Sequence, residues 1–172
     1  MKKKRKRLLQ NILALLGALV IIGLDQWIKQ LAMENLKPIR SFPIWEGVFQ
    51  LFYVENRGAA FGIFSGKTFL LVGLTGMIIL AMIALIVLNK IEHPMLLTSF
   101  SLIIGGGIGN LLDRVGQGFV VDYLHITIVD FAVFNFADCC VVIGTILLVA
   151  YFVFFDKKDK AEKTEDTAHE QR

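Results

Sequence analysis

Uncharged, mainly apolar residues run along this chain in four blocks instead of alternating with polar ones. Leu8–Leu24 (17 residues), Thr68–Leu88 (21), Met95–Leu112 (18) and Cys139–Phe155 (17) contain no Asp, Glu, Lys or Arg. A helix that crosses a hydrocarbon core of about 30 Å needs about 20 such residues. The pattern predicts an all-α polytopic membrane protein with four transmembrane helices, at about 8–24, 68–88, 95–112 and 139–155. These spans form one membrane domain, residues 8–155, because too little sequence is left over for a separate soluble one. Between spans one and two, Pro38, Pro43, Gly47, Gly58, Gly62 and Gly66 surround the β-prone run VFQLFYVEN, 48–56. That run predicts a short strand or small sheet, a β/loop region on the extracytoplasmic side. Its aromatic residues, with Trp27 and Trp45, suit the headgroup region; a part in holding a lipidic ligand stays open beside that.

Charge sets the orientation. Lys2–Arg7 is a run of six basic residues before span one, and Lys and Arg are retained on the cytoplasmic side. With four spans both termini share a side, which then holds twelve of the eighteen Lys and Arg residues. Both termini are therefore expected in the cytoplasm, and Asp25–Lys67 and Asp113–Asp138 on the outer face. The basic residues 1–7 and the net charge of +3 are explained as a topology signal beside anionic lipid, so no nucleic-acid partner is expected. A cleaved signal peptide fits poorly, since Asp25, Trp27 and Lys29 stand where small residues would mark the cleavage site. The tail, 156–172, mixes Lys with Asp and Glu without apolar periodicity and is expected to be disordered and cytoplasmic.

The glycines of GGGIGN, 105–110, are not a phosphate loop, because no Lys-Ser/Thr follows. They admit close helix packing or a turn that shapes a site. Two cysteines, Cys139 and Cys140, make no disulfide framework.

Acids at a membrane edge call for a reason. Asp25, Asp113, Asp122, Asp130 and Asp138 all fall on the predicted outer side. Asp138 begins span four and suits a helix cap; Asp25 suits an ordinary interfacial position at the end of span one. Asp122 is harder to account for, because GFVVDYLHI embeds it in an apolar segment with no Lys or Arg. Two acids brought together in a poorly solvated site would split their ionisation, one keeping a proton and the other acting as base. Such a pair activates water against a carbonyl without a covalent intermediate. A metal centre lacks ligands: neighbours on a helix diverge by about 100°, and His125 stands apart from His93 and His169. No serine triad or cofactor fingerprint is seen, so no cofactor is expected.

The series DQWIK (25–29), NRGAAFG (56–62), GNLLDR (109–114), GFVVDY (118–123) and FNFAD (134–138) resembles the bacterial lipoprotein signal peptidases, also called signal peptidase II. A proline often found before the F-N pair in that family is replaced here by Ala132, a departure that touches loop shape. The resemblance implies an aspartic endopeptidase with Asp122 and Asp138 as catalytic dyad. It implies supporting roles for Asp25, Asn56, Gly58, Asn110, Asp113, Arg114, Asn135 and Ala137. Arg114 would bond carbonyls of the peptide or tie Asp113 into the loop. The implied substrates are diacylglyceryl-modified prolipoproteins, cut just before the modified cysteine at the outer face of the bacterial inner membrane. The expected partners are these substrates and membrane lipids, with the protein a monomer. Two other classes stay open on the residues alone. Acids facing a bundle interior also mark a small transporter or proton-conducting subunit, and a non-enzymatic assembly factor would tolerate Asp→Asn at both positions.

Overall fold

The computed structural model describes residues 2–58, 68–129 and 131–155. Asp130, the AAFG part of the NRGAAFG motif and the whole tail, 156–172, lie outside the described residues.

Each apolar block becomes a helix: α1 (Lys2–Leu31), α2 (Thr68–Val87), α3 (Pro94–Gln117) and α4 (Phe136–Phe154). All four are long and apolar enough to cross a membrane. Their large exposed side chains, among them Leu13, Val20, Leu80, Ile146 and Val153, give the apolar exterior that a bilayer requires. A three-stranded antiparallel sheet completes the fold, with β1 (Ser41–Trp45), β2 (Phe49–Asn56) and β3 (Val120–Ile126) in that order.

α1 starts ahead of its apolar block, at Lys2, and three boundaries nearer the sheet also differ from the sequence reading. α1 does not stop near Leu24: it runs to Leu31 and on through a π-helical turn, Ala32–Leu36. Its buried positions, Asn11, Ala14, Ala18, Asp25, Lys29, Ala32 and Leu36, mostly recur at three- and four-residue steps, which keep them on one stripe of a helix. Asp25 and Lys29 thus continue the inward face. α3 likewise extends to Gln117, taking in Asp113 and Arg114, and ends at Gly118, whose φ of +81° suits the left-handed cap. α4 starts at Phe136, behind an Asn135 cap.

α3 is the axis of the bundle and packs against each of the other helices. Its glycine run makes this possible. A Cβ at Gly105 would meet Ile21 and the Ala18 carbonyl of α1; one at Gly106, the Ala137 carbonyl of α4; one at Gly107, Ile79 of α2. Close approach also lets serines bond across helices: Ser99 Oγ donates to the Gly144 carbonyl (2.7 Å) and Ser101 Oγ to that of Ala14 (2.8 Å). Small residues with hydroxyl donors are the usual means of association where lipid replaces water. At the end away from the sheet, Asn11 Nδ2 donates to the Ile86 carbonyl (2.8 Å) and Asn89 Oδ1 (2.9 Å). Arg7 there donates to the Asn89 carbonyl and to Glu92, both at 2.6 Å.

One face of the sheet, with Tyr53, Val121 and Tyr123, packs on Ala32 and Leu36. β2 carries an irregularity between Leu51 and Val54, after which Val54 pairs with Asp122 and Asn56 with Val120. An extra residue in one strand resets which face its side chains occupy. Directly paired side chains share a face, so Asn56, Val120 and Asp122 lie together on the face away from α1.

Candidate active site

Asp122 and Asp138 come from β3 and α4 and line one cavity of about 450 Å³. Asn56 and Arg114 supply the other polar groups of its wall, and Val120, Ile126, Phe131, Phe134, Val141 and Val142 much of the apolar part.

Asparagines hold the two carboxylates. Asn135 is the N-cap of α4: its backbone is extended and its side-chain oxygen accepts from the Asp138 N–H at 2.9 Å. Asp138 returns the contact by accepting the Asn135 N–H at 3.1 Å, closing a capping box. The capping role considered for Asp138 is therefore present, shared with Asn135. The Asn135 side-chain amide, with its oxygen thus committed, donates to Asp122 Oδ1 at 2.6 Å. Asn56 donates to the other oxygen, Oδ2, at 2.8 Å, and is itself oriented by the Gly58 N–H at 3.0 Å. Asn110 of α3 donates to Asp138 Oδ1 at 2.7 Å.

Burial dominates the electrostatics. Asp122 is 2% exposed, and desolvation, reinforced by the charge of Asp138, pushes its carboxyl up to about 7 against the opposing hydrogen bonds of Asn56 and Asn135 and the charge of Lys29. Tyr123, beside it on the opposite face, accepts the Phe136 N–H at 3.2 Å, and burial raises its phenol well above the ordinary value.

Behind the carboxylates lies a second, ionic layer. Lys29 is 1% exposed and its ammonium meets Asp25 Oδ2 at 2.8 Å, Asp113 Oδ2 at 3.0 Å and Asn110 Oδ1 at 2.8 Å. Asp25 is fully buried and accepts the Ala137 N–H at 3.1 Å; it is not an interfacial residue. Gly109 lies against its carboxylate, and a side chain there would collide with it. Asp113 accepts the Val121 N–H at 3.2 Å and Gln26 Nε2 at 3.0 Å. Arg114 does not tie Asp113 down: it donates to the Gly58 carbonyl at 3.1 Å and to the Asn110 carbonyl at 3.4 Å. Among the described residues no group of three or more His, Cys, Asp or Glu is placed to hold a metal ion.

The ten residues that the motif series implied as dyad and support thus converge at one end of the bundle. Asn56, Arg114, Asp122 and Asp138 line the cavity, Asn110 and Asn135 bond its acids, Gly58 orients Asn56 and Arg114, and Asp25, Asp113 and Ala137 form the layer behind. Lys29 and Gln26 were missed. Their signal was the i, i+4 pair Asp25–Lys29 inside DQWIK, which the early end assigned to span one concealed.

A family model described as signal peptidase (SPase) II matches residues 17–154. A lipoprotein signal peptidase of Halothermothrix orenii is 45% identical over 133 residues, which cover 77% of this chain and 90% of that protein. One of Clostridioides difficile is 42% identical over 154 residues, covering 87% of this chain and 100% of that protein. Among solved structures, a bacterial membrane enzyme determined by the in meso method at 2.3 Å matches with a TM-score of 0.77 at 30% identity, over 87% of this chain and 90% of that one.

Proposed function

The chain belongs to the signal peptidase II family, a family of membrane peptidases that process prolipoproteins, and on that premise we propose that Asp122 and Asp138 are its catalytic pair. The observation that carries this reading is their convergence, from a strand and a helix start, on one mainly apolar cavity. A water between them gives a proton to Asp138 as its oxygen attacks the scissile carbonyl carbon, while Asp122 protonates the carbonyl oxygen. The tetrahedral diol then collapses. Its C–N bond breaks, Asp138 returns the proton to the leaving amine, and Asp122 takes one back from the diol. The raised carboxyl of Asp122 supports it as the member that starts protonated.

The substrate proposed is a diacylglyceryl-modified prolipoprotein, cut just before the modified cysteine. An apolar wall that includes Val142, itself 57% exposed on the lipid-facing surface of α4, supports entry of an acylated peptide from the bilayer. Arg114 and Asn56, which line the cavity, remain able to orient peptide groups beside the acids. Asp25, Asn56, Gly58, Asn110, Asp113, Asn135 and Ala137 support this geometry. The cavity is proposed to face the outer surface of the inner membrane, with both termini cytoplasmic, and the protein to act as a monomer.

The test is cleavage of a synthetic diacylglyceryl lipopeptide by purified protein. Asp122→Asn and Asp138→Asn should each abolish turnover while thermal unfolding stays cooperative; turnover retained by either rejects the pair.

A further inference from the structure

We propose that Lys29 is a positioning residue for the dyad: its ammonium sets the orientation of the amide that holds Asp138 and anchors the backbone immediately before both aspartates. The inference rests on the aspartic reading above and adds a residue to it.

Three hydrogens of one ammonium face three acceptors, Asp25, Asp113 and Asn110, so its donor capacity is filled. Two of these acceptors are carboxylates, and neutralising them would be reason enough for a buried lysine. The third is uncharged, and neutralisation does not require it. An asparagine amide can sit in either of two flipped orientations. An ammonium only donates, so the Asn110 oxygen must face Lys29 and its nitrogen must face Asp138 Oδ1. The same Asn110 oxygen accepts from Asn135 Nδ2 at 3.2 Å, the amide that donates to Asp122. Each catalytic carboxylate is therefore linked to the ammonium through asparagine alone.

The two carboxylates act on the backbone. Asp25 accepts the N–H of Ala137, the residue before Asp138, and Asp113 accepts the N–H of Val121, the residue before Asp122. One cation from α1 thus fixes acids from α1 and α3 that hold the chain next to the reacting groups on α4 and β3. Arginine could not replace it, since a planar fork does not match three acceptors around a point.

The test separates positioning from neutralisation. Lys29→Met alone would strand two buried carboxylates, so it is combined with Asp25→Asn and Asp113→Asn, which keep oxygens for the Ala137 and Val121 N–H groups. The full chain, purified in detergent and assayed on the diacylglyceryl lipopeptide, should unfold cooperatively with KM within about twofold of wild type and kcat lowered at least tenfold, toward the loss of about 100-fold that a misplacement of about 1 Å can cause. A folded triple variant with wild-type kcat overturns the proposal. If the variant does not fold, lysine-selective ¹⁵N spectra of wild type and Asp138→Asn decide. A shift of the exchange-protected Lys29 ammonium signal on Asp138→Asn supports the link through Asn110, and an unchanged signal overturns it. Asp122→Asn and Asp138→Asn are assayed in parallel. If they retain turnover, the aspartic reading itself fails; if they are inactive while the folded triple variant is fully active, only the role of Lys29 falls.

Discussion

Asn135 donates to Asp122 Oδ1 over 2.6 Å, across the gap between the start of α4 and β3. The same residue caps α4 and takes part in the box with Asp138, so one side chain sets the spacing of both acids. Asn135→Ala should lower kcat by about 100-fold, the low end of the range attributed to proton-transfer catalysis. It should also cost about 1–3 kcal/mol of stability, from a lost cap and an unpaired buried acceptor. Lipopeptide kinetics and thermal unfolding in the same detergent measure the two effects.

The carboxyl of Asp122 is raised from 3.8 to about 7. Between those values the folded protein holds a proton that the unfolded chain has released. Its contribution to stability is therefore fully present below about pH 4 and is lost as pH rises through 7. Activity should fall on the alkaline side with a midpoint near 7, where Asp122 can no longer protonate the carbonyl. The pH profile of kcat/KM and the pH slope of Tm check both, and Asp122→Asn should flatten that part of the Tm slope.

Gly106 faces the Ala137 carbonyl, with no room for a Cβ. Gly106→Ala should push α3 from α4 next to Asn135 and Asp138, destabilising by about 1–3 kcal/mol and reducing kcat. Gly73→Ala, at an open position on α2, should change neither measurably.

Orientation is open to a direct assay. A reporter fused after Phe155 should be active only on the cytoplasmic side, and a cysteine placed at the exposed Trp45 should react with an impermeant thiol reagent from outside. A reporter found outside would reverse the proposed topology.

The spans were legible because lipid imposes an uninterrupted apolar run, and α2 matches its block almost to the residue. The end of α1 was hidden by that same rule. Asp25 and Lys29 look like the edge of a membrane segment, yet each removes the need for the other to meet water. β3 was obscure for a different reason. Val120, Val121, Asp122 and Tyr123 are buried on both faces, so the alternation that marks a strand is missing, and Asp122 stands out only as an acid without a nearby cation. The motif series named the acids and asparagines. Which amide bonds which carboxylate depends on the register of β2 against β3 and on the helix crossings at Gly105–Gly109, relations between distant segments that local pattern does not carry. Extending α3 to Gln117 also alters the comparison with an ion carrier. That span does carry Asp113 and Arg114, but they join the other site residues at one end of the bundle and do not form a path along it.

α1 is held toward its two ends by buried polar side chains, by Asn11 against the α2–α3 connection and by Lys29 within the ionic layer. Eighteen residues separate the two at 1.5 Å each, or about 27 Å, close to the thickness of a hydrocarbon core. The helix is thereby a gauge of fixed length. It cannot slide or turn to suit a thicker bilayer without breaking one of its end contacts, so any mismatch falls on whole-body tilt or on the surrounding lipid.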